Sequence, residues 1–162
     1  AILLLLARLG LRAGEVVGLT LDDLDWAAGE LCIRGAGTPT DRLPISREVG
    51  KALADYLCHV RPTCASRQVF VRIRAPHRGF VNSAAISSLV RRALAHAGLN
   101  PAHQGAHLLR HTVATQMLRQ GASLAEIGEL LRHRRQQTTM IYAKVDLDML
   151  RPLALPWPGG AS

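Results

Sequence analysis

Five side chains in this sequence can do phosphate chemistry if the fold gathers them: Arg12, His107, Arg110, His133 and Tyr142. His107 and Arg110 stand three residues apart on a stretch with helical spacing, so both leave from one face. Each donates hydrogen bonds that suit phosphate oxygens, although solvated His/Arg neighbours at this spacing are common. His133 precedes Tyr142 by nine residues, in a segment that opens Leu130-Leu131-Arg132-His133-Arg134-Arg135. Nearby cations favour the phenolate, which makes Tyr142 a candidate nucleophile; taken alone, it reads more often as a core ring with its hydroxyl at the edge. Arg12 lies in Gly10-Leu11-Arg12-Ala13-Gly14-Glu15, a turn before a helix. Glu15 can hold that guanidinium in place, or the two form an ordinary surface pair.

The elements that must position these groups read mostly as helix. Val49, Ala52, Leu53, Tyr56, Leu57 and Val60 make one apolar stripe; Ile86, Leu89, Val90, Ala93, Leu94 and Ala97 make another, with Gly98 as its cap. A third helix is predicted from Gly105 to Gln120, with Leu109, Val113 and Met117 inward and Gly121 ending it. Ser123 and Glu126 form a capping box that opens a helix through Leu131, and a last helical stretch carries Thr139 to Lys144. Between the first helices, Glu30 to Arg34 and Arg42 to Ile45 alternate around a turn-forming Gly35–Asp41 connection, which reads as a hairpin. Pro44 confines its second strand to an edge or a bulge. The predicted fold class is therefore mainly α with a small antiparallel β-sheet, an α+β domain.

Composition narrows the partner. The chain of 162 residues has the size of one domain, and its net charge is +8 with a pI near 10.7. Only Lys51 and Lys144 are lysines, so arginine supplies nearly all the positive charge. A GC-rich coding sequence accounts for that ratio as well as selection for phosphate-binding forks does, but it leaves the charge in place. A polyanion, nucleic acid before membrane, is the expected partner. Cys32, Cys58 and Cys64 are odd in number and lack a CxxC, which argues against a disulfide framework and a standard zinc site. No carboxylate cluster looks built for Mg²⁺. No metal or cofactor is expected, and a reducing, cytoplasmic compartment fits. The apolar start, Ala1 to Ala7, has neither the lead of a signal peptide nor the length of a membrane span, and reads as a fragment beginning inside a helix.

In this order and at this spacing, Arg12, His107-x-x-Arg110, His133 and Tyr142 resemble the catalytic domain of the tyrosine recombinases of the phage-integrase family. The matching stretches are Ala7 through Glu15, His107-Leu108-Leu109-Arg110-His111, and Leu130 through His133 to Ile141-Tyr142-Ala143-Lys144. The resemblance implies that Arg12 and Arg110 bind the non-bridging oxygens of a scissile phosphate in double-stranded DNA, with His107 and His133 donating further hydrogen bonds. It implies that Tyr142 attacks phosphorus and becomes joined to the 3′ side. It further implies a catalytic domain over residues 1–155, an N-terminal DNA-clamping domain outside this chain, and self-association into a tetrameric synapse; the remaining Pro- and Gly-rich residues, 156–162, read as a flexible tail. One departure stands out. The family usually carries a lysine in the hairpin turn, where it protonates the leaving 5′ oxygen; here the turn reads Gly35-Ala36-Gly37. A non-catalytic DNA-binding relic and a type IB topoisomerase-like enzyme are the alternatives, though the segment from Tyr142 to Trp157 resembles integrases more than topoisomerases.

Overall fold

The computed structural model describes residues 1–34, 41–101 and 104–132. Packing divides the chain into two units, residues 1–111 and 112–162.

The first unit is built on α1 (Ile2–Arg8), α2 (Ala13–Gly18), a sheet of β1 (Leu24–Asp25), β2 (Glu30–Ile33) and β3 (Asp41–Pro44), then α3 (Arg47–Asp55) and α4 (Ser83–His96). Its core gathers Leu5, Leu6, Leu11, Val49, Leu53 and Phe70, with Ile86 and Val90 brought in by α4. The hairpin is present. The sheet order is β1-β2-β3 and all pairs are antiparallel, with Leu31 opposite Leu43 and Glu30 opposite Pro44. Pro44 can stand there because β3 is an edge strand in the described sheet and needs no donor on its outer side.

Local chemistry sets the helix ends. Ser46 Oγ accepts from the Val49 amide (3.4 Å) at the start of α3, and Asn82 Oδ1 accepts from Ala84 (3.1 Å) at the start of α4. Gly98 takes φ +71°, so its amide bonds back to Ala95 and that of Leu99 to Leu94, closing α4 as a Schellman motif. The first apolar stripe holds only in part. After Asp55 the chain widens into a π-turn over Tyr56–Val60; Val49 and Leu53 stay buried, but Val60 is swung out to 52% exposure. The wider turn breaks the 3.6-residue period on which its inward placement rested.

α5 (Ala106–Arg119) begins in the first unit and continues into the second, where α6 (Leu124–Leu130) follows. Within the second unit Val113, Ala114, Ile127 and Leu131 pack together. The capping box that opens α6 is formed as read: Ser123 Oγ accepts from the Glu126 amide (3.3 Å), and Glu126 Oε2 accepts from both the amide and hydroxyl of Ser123 (2.7 Å each). Among the described residues, no helix is long and apolar enough to cross a membrane. The Thr139–Lys144 helix, the Gly35–Gly37 turn and the segment from 146 to the C-terminus lie outside the described residues.

Candidate active site

The turn between α1 and α2 is the anchor of the site. Gly10 adopts φ +58°, a left-handed conformation that glycine enters without a Cβ clash. It ends α1 and lets the Leu11 amide reach back to the Leu5 carbonyl (3.4 Å). The reversal buries Leu11 completely and leaves Arg12, the next residue, at the N-cap of α2 with its side chain 44% exposed.

Glu15, on the first turn of α2, grips Arg12 twice. Oε1 accepts from guanidinium Nη1 (2.8 Å) and Oε2 from the Arg12 backbone amide (2.7 Å). One carboxylate thus caps the helix and fixes the arginine in one rotamer. The Glu15 side chain is only 9% exposed, so water competes little for either bond.

Arg110 reaches the same turn from far along the chain. It lies on α5, is 3% exposed, and donates through Nη1 to the Gly10 carbonyl. A buried guanidinium is costly unless it is hydrogen-bonded, so this contact holds Arg110 in place. The two arginines, remote in sequence, are both fastened to Gly10–Arg12.

His107 lies one turn before Arg110 on α5, and its ring is exposed. It packs edge-on against His111, with ring centroids 5.8 Å apart at 75°. His111 was not singled out from the sequence; its i+4 spacing from His107 was the available signal. The Gly10 carbonyl was also missed, because a backbone acceptor leaves no trace in residue types. His133, Tyr142 and Ala36 lie outside the described residues. Among those described, no three His, Cys, Asp or Glu side chains come together as a metal-binding group.

What this arrangement can do chemically is hold an anion. Arg12 and Arg110 are fixed by contacts other than the one a ligand would make, so charge developing on oxygens there is met without reorganisation.

The phage integrase family model matches residues 1–148. A Sinorhizobium fredii protein carrying the name integrase/recombinase y4rA is 56% identical over 161 residues, a match covering 99% of this chain and 39% of that protein. Integrase/recombinase y4gC of the same organism is 40% identical over 161 residues, covering 98% of this chain and 82% of its own length. Among solved structures, the XerA recombinase superposes with a TM-score of 0.75 at 26% identity, covering 94% of this chain and 57% of that one. The chain therefore spans well under half of the first of these relatives.

Proposed function

The chain belongs to the phage integrase family, and we propose that it cleaves and rejoins double-stranded DNA by transesterification at a tyrosine, the chemistry of site-specific recombination. The observation that carries this reading is the convergence on one turn of Arg12, held by Glu15, and Arg110, buried and tied to Gly10.

In this reading Arg12 and Arg110 bind the two non-bridging oxygens of the scissile phosphate, and His107 and His133 donate to the same oxygens. The Tyr142 phenol loses its proton and attacks phosphorus. The bond to the 5′ oxygen breaks, that oxygen takes up a proton, and the 3′ phosphate stays on Tyr142. Return of the 5′ hydroxyl reverses the step, so the bond energy is conserved and religation needs no nucleotide. The fixed arginines stabilise the transition state electrostatically. Exchange of strands between two duplexes requires several protomers, which supports a tetrameric synapse, acting in the cytoplasm.

Ala36 favours a second reading, in which the chain binds DNA without cutting it. A positioned general acid contributes about 10²–10⁴-fold to rate, and the alanine of Gly35-Ala36-Gly37 has no proton to give. One experiment separates the two: incubation with nicked duplexes bearing either a 5′-bridging oxygen or a 5′-bridging sulfur, followed by denaturing electrophoresis. The strand-cleaving reading expects covalent adduct with the sulfur substrate, whose thiolate leaves without protonation, and none from Tyr142→Phe. If neither substrate yields an adduct while DNA is still bound, the relic reading takes its place. An adduct that persists in Tyr142→Phe refutes the nucleophile.

A further inference from the structure

The chain's excess of positive charge is concentrated in one stretch. Between Asp55 and Glu126 there is no aspartate or glutamate, while nine arginines stand there; the rest of the chain, with 11 basic and 12 acidic residues, is close to neutral. The arginines before it are mostly neutralised: Arg8 pairs with Glu48, Arg12 with Glu15, Arg34 with Asp23 and Arg42 with Glu30. Within it, Arg67 pairs with Asp22, and Arg61 spends its guanidinium on the carbonyls of Ser66, Gln68 and Val69. Arg72, Arg74, Arg78 and Arg92 are different. Among the described residues, none of their side chains makes an ion pair or a hydrogen bond.

Three of the four sit on one closed loop. Val71 and Gly79 bridge its neck, the Arg72 amide bonds to the Arg78 carbonyl (2.9 Å), and His77 Nδ1–H donates to the Arg72 carbonyl (3.1 Å). The neck is held from below: the Val71 amide donates to Tyr56 Oη (3.3 Å), and the Gln68 side-chain amide lies so close over Gly79 that a Cβ there would displace it. Gln68 in turn donates to the Val17 carbonyl (3.2 Å). The tip is exposed, with Arg74, His77 and Arg78 all on the surface. Arg72 and Arg74 line, together with Arg92 of α4, one largely apolar cavity of about 740 Å³, so the loop and the helix are neighbours.

We propose that the 71–79 loop, with Arg92, is a second DNA contact of this chain, gripping backbone phosphates apart from the one held at Gly10–Arg12. The proposal rests on DNA being the substrate, as argued above. An arginine fork on a tied loop suits a phosphate, whose two oxygens it can meet at once. Leaving four such forks unpaired, in a stretch emptied of carboxylates, keeps them available to an external polyanion.

The test is the salt dependence of duplex DNA binding by the whole chain. Each phosphate contact contributes about 0.9 to the log–log slope, so Arg74→Ala combined with Arg78→Ala reduces its magnitude by about 2. Arg74→Lys with Arg78→Lys keeps the charge and retains the slope. Arg8→Ala with Arg42→Ala removes the same charge from paired positions and leaves the slope near that of the unaltered protein. A loop double-alanine variant that binds as the unaltered protein does, or paired-position controls that lose as much, overturns the proposal. Loss of polyglutamate binding with DNA binding unchanged would assign the loop to an acidic protein instead. This measurement needs no cleavage: a protein that forms no adduct but shows the loop-dependent slope sinks the strand-cleaving reading and leaves this one standing.

Discussion

At the scale of single residues, Glu15 has two tasks that can be pulled apart. Its Oε2 caps α2 and its Oε1 holds the Arg12 guanidinium. Glu15→Ala loses both, costing about 1 kcal/mol of stability from the cap. It also frees Arg12 to sample other rotamers. Supporting groups of this kind are worth roughly 10–100-fold in function where they have been removed from ligand shells. The rate of adduct formation at saturating DNA is therefore expected to fall by about that factor, with DNA affinity changing far less. Glu15→Gln keeps one acceptor oxygen and falls between the two. An undiminished single-turnover rate in folded Glu15→Ala would show that Arg12 needs no partner. The pair was legible in the sequence because the two residues are three apart on one helix start. The Arg110–Gly10 contact was not, because it spans a hundred residues and ends on a backbone oxygen.

Elements were legible where their ends carry chemistry. The α6 capping box, the glycine closing α4 and the proline on the edge strand each follow from one or two residues with a specific conformational use. β1 was not foreseen, since two residues cannot display an alternation. The π-turn after α3 was not foreseen either, because a helix and its widened end share the same apolar residues. The α6 box also predicts a pH effect. Hydrogen bonds from the Ser123 hydroxyl, then from its backbone amide, hold the Glu126 carboxyl below its usual range. A carboxyl depressed in the folded state stabilises the fold above its unfolded pKa of about 4.3. That contribution is lost as pH falls through the lower, folded value. Glutamine keeps the box but does not titrate. The urea midpoint of the unaltered protein should consequently drop more steeply below pH 4.5 than that of Glu126→Gln; parallel acid limbs would remove the carboxylate from the account.

At the scale of the whole molecule, the charge and the proposed strand-cleaving chemistry ask for the same partner. The fold class could be read from the sequence because helical spacing dominates it and the hairpin is bounded by strong turn residues. How two remote arginines come to share one turn could not, since that follows from core packing around Leu11 and α5. The charge of +8 and pI near 10.7 make a quantitative demand on duplex binding. If about five phosphates are neutralised, the log–log slope against salt lies near −4 to −5. Raising salt from about 50 to 200 mM then weakens binding by roughly 500-fold. Phosphate contacts carry no sequence information, and the chain spans 39% of the y4rA relative, so this chain by itself is expected to show little preference between unrelated duplexes. Fluorescence anisotropy on two unrelated duplexes across that salt range measures both quantities together. A flat salt dependence would mean that the basic surface is not where DNA sits. A large, salt-insensitive preference for one duplex would mean that base-reading groups, and not the arginines, supply the affinity.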